Sequence, residues 1–422
     1  MSHTPIRNTC WWPLAGNRGI ALAWLAAAAC SSSGADPAGP GDPPGGKLDA
    51  SAPTGDPPVT GGAPSNGGTI TFQSIGATGT FPSRRDPAIG PCDAFHSDSC
   101  CLANQAITSD ALTPWDEDLI LTLRGPMVVK QLAVYQPAQP GTGKPWSRVS
   151  LWDAGAPAAA SGLAFDGNGT DTAGFPGAVG TECLVNVSTS DAFACGPGSS
   201  PYCPPRGTGK TAHRGWSGSK LFVMLATMPH AGDVAGACSH DATGNWYDAP
   251  WIGLSVGELV RAGSFVSCQC YAKDPAKGYL ADGCGQFNVF EVVNDNNQYK
   301  NLDVFSTDMI NYAGYVGEGP CGAGCDATKF SAEADLIDKS TSTEAKAGAV
   351  ASPMHGPGAA LRRPVTGYRY FVILLDVPSR TVQLALVNPS QIPAALAGLV
   401  PALPASVEAT TVDSVRGLRL PR

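Results

Sequence analysis

Charged residues are scarce in this chain. Only 15% of its 422 residues are Asp, Glu, Lys or Arg, and the formal net charge is −8. Proteins that bind nucleic acid need basic patches that meet the phosphates, and an acidic balance argues against such a role. We therefore expect no nucleic-acid partner.

Helical periodicity is nearly absent as well. The sequence contains 51 Gly and 37 Pro, and these residues separate short apolar segments. Such a pattern is typical of an all-β sandwich. It predicts strands at residues 69–72, 119–123, 128–135, 148–152, 220–227, 249–256, 286–293, 368–376 and 381–387. The last two are joined by Val377-Pro-Ser-Arg380, which favours a hairpin.

The paired Cys-x-x-Cys spacing of structural zinc sites is also missing. Of the 14 Cys, Cys10 and Cys30 fall in or beside a predicted export signal, and an even number remains. In an exported chain this favours disulfides. We expect no metal and no other cofactor; a metal site that uses His230 or His240 is the alternative.

The N-terminus predicts export. In residues 1–29, Arg7 and Arg18 precede an apolar run that is short for a membrane span, as in a signal peptide. The residues around Cys30 resemble a bacterial lipoprotein cleavage site, which predicts lipidation of Cys30; an ordinary signal peptide is the alternative. Residues 30–68, rich in Pro, Gly and Ser, predict a disordered linker. We expect a surface-facing lipoprotein of the bacterial cell envelope, attached to the membrane through its lipid anchor only.

The segment Gln286-Phe-Asn-Val-Phe-Glu291 is the most informative strand. Side chains alternate along a strand, so Gln286 and Asn288 share a face and Glu291 falls out of phase. A bulge near residues 289–290 would return Glu291 to that face, and bulges are frequent beside active sites. The sequence therefore predicts three polar side chains in a row.

This spacing resembles the Glu-x-Asp-x-x-Glu signature of the family-sixteen glycoside hydrolases, which cleave β-glucans with retention. The resemblance implies that Glu291 is the acid/base, that Gln286 occupies the nucleophile position and that Asn288 occupies the helper position. Retaining hydrolysis needs two carboxyl groups about 5 Å apart. Because Gln286 is an amide, this route to hydrolysis is in doubt.

A wider resemblance is to the fungal Target-of-SBF cell-wall proteins. The matching segments lie in residues 111–118, 124–127, 130–135, 146–150, 268–270, 283–291 and 363–367. The resemblance implies a small N-terminal β module at 69–140 and a jelly-roll-like, glycosyl-hydrolase-like sandwich at 141–390. It also implies a concave cleft that takes β-1,3-glucan. The tail, 391–422, has no assignable chemistry.

Three aromatic residues precede the central strand, namely Trp246, Tyr247 and Trp251. Aromatic rings stack on the apolar faces of sugars, so we expect at least one of them to contact substrate. The alternative is that Trp251 belongs to the core.

Three functions remain open from the sequence. The first is a glucan-binding surface lipoprotein that has lost turnover. The second is an active β-1,3-glucan hydrolase that combines Glu291 with another carboxylate, such as Asp248, Asp295 or Glu318. The third is a structural envelope protein whose cleft binds nothing.

Overall fold

A computed structural model describes a large part of the chain. The described residues are 68–73, 75–76, 79–83, 103–107, 112–138, 145–167, 175, 177–194, 211–231, 233–234, 248–257, 260, 285–292, 305–311, 314–318, 330–332, 363–393, 396, 404–416 and 418. The predicted signal peptide, Cys30, Trp246, Tyr247 and Asp295 lie outside them, as does the side chain of Glu318.

The apolar segments pair into two large antiparallel sheets. The nine-stranded sheet consists, in spatial order, of β17 (Phe330–Ala332), β1 (Gly68–Gln73), β19 (Thr381–Val387), β18 (Arg369–Asp376), β12 (Lys220–Thr227), β5 (Met127–Pro137), β6 (Trp146–Asp153) and β20 (Ser406–Val407), with β8 (Ala178–Val179) paired to β5. The seven-stranded sheet consists of β16 (Gly314–Glu318), β15 (Phe305–Asn311), β14 (Gln286–Val292), β13 (Trp251–Val256), β4 (Leu119–Arg124), β9 (Leu184–Thr189) and β7 (Leu163–Gly167).

The remaining described elements are short. Two two-stranded antiparallel sheets pair β2 (Gly79–Ser83) with β3 (Ala103–Ile107) and β10 (Ala192–Ala194) with β11 (Thr211–His213). A 3-10 turn spans Pro157–Ala159, and a C-terminal helix, α1, spans Ala409–Arg416. The prediction of an all-β sandwich is confirmed.

The main core lies between the two sheets. Aromatic contacts join them, with ring centroids of Phe72 and Phe287 5.3 Å apart and those of Phe290 and Phe371 5.1 Å apart. Phe287 and Phe290 belong to β14, so the inner face of this strand is anchored against the nine-stranded sheet. Its polar residues therefore face away from the core.

Each of the two large sheets contains strands from the predicted N-terminal module, 69–140, and from the predicted larger sandwich, 141–390. β1 and β5 join the nine-stranded sheet and β4 the seven-stranded sheet, next to strands from residues beyond 141. All three strands predicted within residues 69–140 therefore belong to the two large sheets. The reason is hydrogen bonding, since each strand satisfies its backbone groups by pairing with neighbours that lie far away in sequence.

The C-terminal tail covers the outer face of the nine-stranded sheet. Val412 and Val415 of α1 are fully buried and belong to a second apolar cluster, together with Val223, Val372 and Ala385 from the sheet. Among the described residues, every helix is too short or too polar to span a membrane.

Candidate functional site

The predicted bulge in β14 is present. Gly253 of β13 faces Asn288, but the next residue, Ile252, faces Phe290, so Val289 is the extra residue. Val289 and Phe290 are both buried in the core, which rotates Glu291 back to the outer face. The hydroxyl of Thr307 donates to the carbonyl of Asn288, 2.8 Å away, and so satisfies a backbone acceptor at the irregularity.

Three side chains of β14 form a hydrogen-bonded row. Gln286 Nε2 donates to Asn288 Oδ1 at 3.0 Å, and Asn288 Nδ2 donates to Glu291 Oε2 at 3.3 Å. We call Gln286, Asn288 and Glu291 the polar row. The geometric expectation from the strand pattern is thus confirmed, while the catalytic roles implied for these residues remain predictions.

Arg124, at the end of β4, extends the chain of hydrogen bonds beyond the polar row. Its Nη2 donates to Glu291 Oε1 at 3.1 Å, and its Nε donates to the carbonyl of Ala249 at 2.9 Å. Paired residues on neighbouring strands project from the same side of a sheet. Arg124 pairs with Trp251, and Trp251 pairs with Glu291, so the three side chains lie on one face. The arginine is thus fixed at two points beside the carboxylate.

Trp251 packs beneath this arginine. The guanidinium carbon of Arg124 lies 5.7 Å from the centroid of the Trp251 ring, a distance typical of a cation–π contact. A Cβ at Gly253 would lie 2.1 Å from the Trp251 ring, so the missing side chain makes room for the indole. Trp251 is only 2% exposed. In this structure its ring supports the site, and it lies outside both core clusters.

Asp248, a candidate for the second carboxylate, is held by a structural network. Its Oδ1 accepts hydrogen bonds from Arg363 Nη2 at 2.6 Å and from the Ala231 amide at 3.0 Å. Its Oδ2 lies 2.7 Å from His230 Nδ1. Because buried Arg363 also donates to the carbonyls of Met228 and Pro229, the network ties Asp248 to the turn after β12.

Glu182 is the residue that sequence reasoning missed. Its Oε1 lies 4.0 Å from Arg124 Nε, on the same guanidinium that pairs with Glu291. Burial raises the pKa of the Glu182 carboxyl to about 7; Arg124 lowers it, and Glu291 and Asp248 raise it further. No sequence signal marked this residue, because it lies in a turn and not on a patterned strand.

An open cleft lies away from the polar row. Its volume is about 1020 Å³, and its lining includes Trp146, Asp376 and Arg416, at the edge where α1 meets the β18–β19 turn. Among the described residues, we find no group of three or more His, Cys, Asp or Glu side chains suited to a metal ion.

A strand with the spacing of a glucan hydrolase, on the polar face of an all-β sandwich, defines the class of this protein as glucanase-like. The family model "Cell wall protein YJL171C/Tos1, N-terminal" matches residues 68–137, and the corresponding C-terminal model matches residues 166–324. The chain belongs to the YJL171C/Tos1 cell wall protein family.

One curated relative is similar over much of the chain. It is "Probable circularly permuted 1,3-beta-glucanase PGA52" from Candida albicans, 24% identical over 274 residues that cover 56% of this chain. The chain spans 65% of the length of that relative. No solved structure matches the chain.

These comparisons correct the predicted location. We expected a bacterial cell envelope because the residues around Cys30 resemble a bacterial lipoprotein site. That localisation is wrong, because the family consists of cell wall proteins exported to the fungal cell wall. A local pattern of small residues before a cysteine carries little information about the organism. Lipidation of Cys30 itself stays an untested prediction, outside the described residues.

Proposed function

We propose that this protein binds β-1,3-glucan on the outer face of its seven-stranded sheet and does not cleave it by the retaining route. The observation that carries this proposal is the continuous chain of hydrogen bonds from Gln286 through Asn288 to Glu291 and Arg124. The relative from Candida albicans is named as a 1,3-beta-glucanase, which supports a glucan as the ligand class.

The chemistry of the row suits binding better than bond cleavage. Amide groups donate and accept hydrogen bonds, as sugar hydroxyls do, whereas Gln286 offers no carboxylate that can attack the anomeric carbon. Glu291 is 33% exposed on its side chain, so it is accessible to a ligand. Arg124 adds a charged donor beside it.

Binding is tested by retention on insoluble β-1,3-glucan and by titration with laminarin oligosaccharides. We expect the wild type to be retained and Glu291→Ala to lose at least tenfold in affinity, since one charge-assisted hydrogen bond contributes roughly 1.5–3 kcal/mol. Glu408→Ala is the matched control, because Glu408 is an exposed carboxylate next to α1. Equal retention of both variants would place the binding surface elsewhere, and no retention of the wild type would favour a structural role.

Hydrolysis is a second candidate, favoured by the position of Glu182. Glu182 and Glu291 contact the same guanidinium, so two carboxyl groups lie close to the site even though Gln286 is an amide. Release of reducing ends from laminarin separates the two functions. We expect none from the wild type, and measurable release from the double variant Gln286→Glu with Asn288→Asp. Release by the wild type that disappears in Glu182→Gln would establish hydrolysis instead.

A further inference from the structure

Glu182 is locked into place by the backbone that follows Arg124. The amide of Glu182 donates to the carbonyl of Gly125 at 3.2 Å, and the amide of Gly125 donates to the carbonyl of Cys183 at 3.1 Å. A Cβ at Gly125 would lie 2.1 Å from the carbonyl oxygen of Val179, so this close approach requires glycine. The turn that carries Glu182 therefore cannot move independently of Arg124.

The position of Glu182 has two unfavourable features. Its φ is 59°, in the left-handed region that favours glycine. Within the described part of the chain its buried Oε1 has no hydrogen-bond partner and only the ion pair with Arg124 Nε at 4.0 Å. Strain and unsatisfied polar atoms of this kind concentrate at functional sites. The side chain is 14% exposed.

Charged groups from three elements face this carboxyl group. Arg124 approaches from β4, Glu291 from β14, and Asp248 from the segment before β13. Asp248 is itself paired with Arg363 and His230. Burial and the two acidic neighbours keep a proton on Glu182 up to about neutral pH, because its pKa is raised to about 7.

We propose that Glu182 is a positioning residue of the glucan site, and that the protonation of its carboxyl group decides how Arg124 is shared with Glu291. This inference rests on the proposed glucan binding. When Glu182 is neutral, Arg124 pairs with Glu291 alone. When Glu182 is ionised, it attracts Arg124, and Glu291 becomes free to accept hydrogen bonds from sugar hydroxyls. Glucan binding therefore tightens as the pH rises through neutrality.

The test is the pH dependence of laminarin-oligosaccharide affinity in the full chain. For the wild type we expect affinity to increase by about fivefold or more between pH 5.5 and pH 8.5, a typical size for coupling between two groups. Glu182→Gln, which mimics the neutral carboxyl, keeps the weaker affinity of the wild type at pH 5.5 across the whole range. A pH profile of Glu182→Gln that matches the wild type overturns the inference.

Two controls assign the effect. His230→Asn addresses the imidazole of the adjacent network, because histidines commonly titrate between pH 5 and 8. We expect its pH profile to follow the wild type, and a flat profile in this variant would transfer the effect from Glu182 to His230. Glu408→Gln removes an exposed carboxylate elsewhere and leaves the profile unchanged.

A second readout does not depend on glucan. In protein labelled with ¹³C at the glutamate carboxyl carbons, we expect one resonance that titrates near neutral pH and is absent from Glu182→Gln. If that resonance is missing while glucan still binds, the inference fails and the proposed function stands. If the resonance is present but glucan binds at no pH, the proposed function fails and the positioning role fails with it.

Discussion

On the nine-stranded sheet the outer face is apolar, whereas on the seven-stranded sheet it is polar. Val223, Val372 and Ala385 belong to one apolar cluster with Val412 and Val415 of α1. Thr122 and Asn288 occupy corresponding positions on the other sheet, where Thr122 bonds to a neighbouring strand and Asn288 belongs to the polar row. One face is thus covered by apolar packing, and the other carries the polar row.

The strands themselves show the difference. β12 and β18 are apolar at nearly every position, as expected of strands covered on both sides, whereas β14 combines apolar residues with Gln286, Asn288 and Glu291. Hydrophobic burial stabilises the packing on both faces of the nine-stranded sheet. On the seven-stranded sheet the outer face combines the polar row with a buried apolar side chain, Trp251, so hydrophobic burial and polar contacts share that face.

The largest effect is expected where the apolar outer face loses its cover. Val412→Asp places a carboxylate at a fully buried position of α1. We expect the free energy of unfolding to fall by about 5 kcal/mol, because an unpaired charge is buried there. Urea unfolding measures it. Thr410→Asp, an exposed position of the same helix, is the control. Equal stability of the two variants would show that the tail does not cover this face.

Neighbouring residues of β14 should separate stability from binding. Phe290→Ala removes a buried ring that contacts Phe305 and Phe371, at centroid distances of 5.4 Å and 5.1 Å, and should cost about 4 kcal/mol. Glu291→Ala should cost less than about 1 kcal/mol, since partly exposed ion pairs contribute little. Thermal or urea unfolding of both variants checks the comparison. A loss for Glu291→Ala as large as that for Phe290→Ala would make the row a structural element.

Glu182→Gln should stabilise the protein at alkaline pH. The folded-state pKa of Glu182 is raised from 4.5 to about 7, so the proton stabilises the fold below pH 4.5, and this contribution is lost as the pH rises through 7. The variant cannot ionise at this position. The difference in the free energy of unfolding between the variant and the wild type should therefore be up to about 3 kcal/mol larger at pH 8 than at pH 4, in favour of the variant. Urea unfolding at both pH values measures this difference. A difference independent of pH would refute the raised pKa.

The smallest effect is expected within the polar face itself. Thr122 Oγ1 donates to Asn186 Oδ1 at 2.9 Å, between β4 and β9. Thr122→Val keeps the shape and removes this hydrogen bond, so we expect a loss of about 1 kcal/mol. Thr410→Val, on the exposed face of α1, serves as the reference in the same unfolding experiment. No loss for Thr122→Val would mean that solvent replaces the bond.

Much of the sandwich follows from local patterns. The segments predicted at residues 220–227 and 381–387 coincide with β12 and β19, and the turn between β18 and β19 lies at the predicted position. β15 and β16 were not predicted, because their mixture of polar and apolar residues lacks a clear period. The sequence of the tail predicts no defined structure, since the role of α1 depends on the sheet face that it covers.

The sequence by itself determined the bulge and the polar row. Val289 and Phe290 are adjacent apolar residues that both enter the core, and Glu291 must then turn outward to join Gln286 and Asn288. Such alternation is a property of a single strand and can be read locally. Only the tertiary structure decided that Arg124 and Glu182 join Glu291, since Arg124 and Glu291 are 167 residues apart in sequence. Strand pairing and a turn packed against Gly125 bring these charges together, and neither can be inferred from the residues around them.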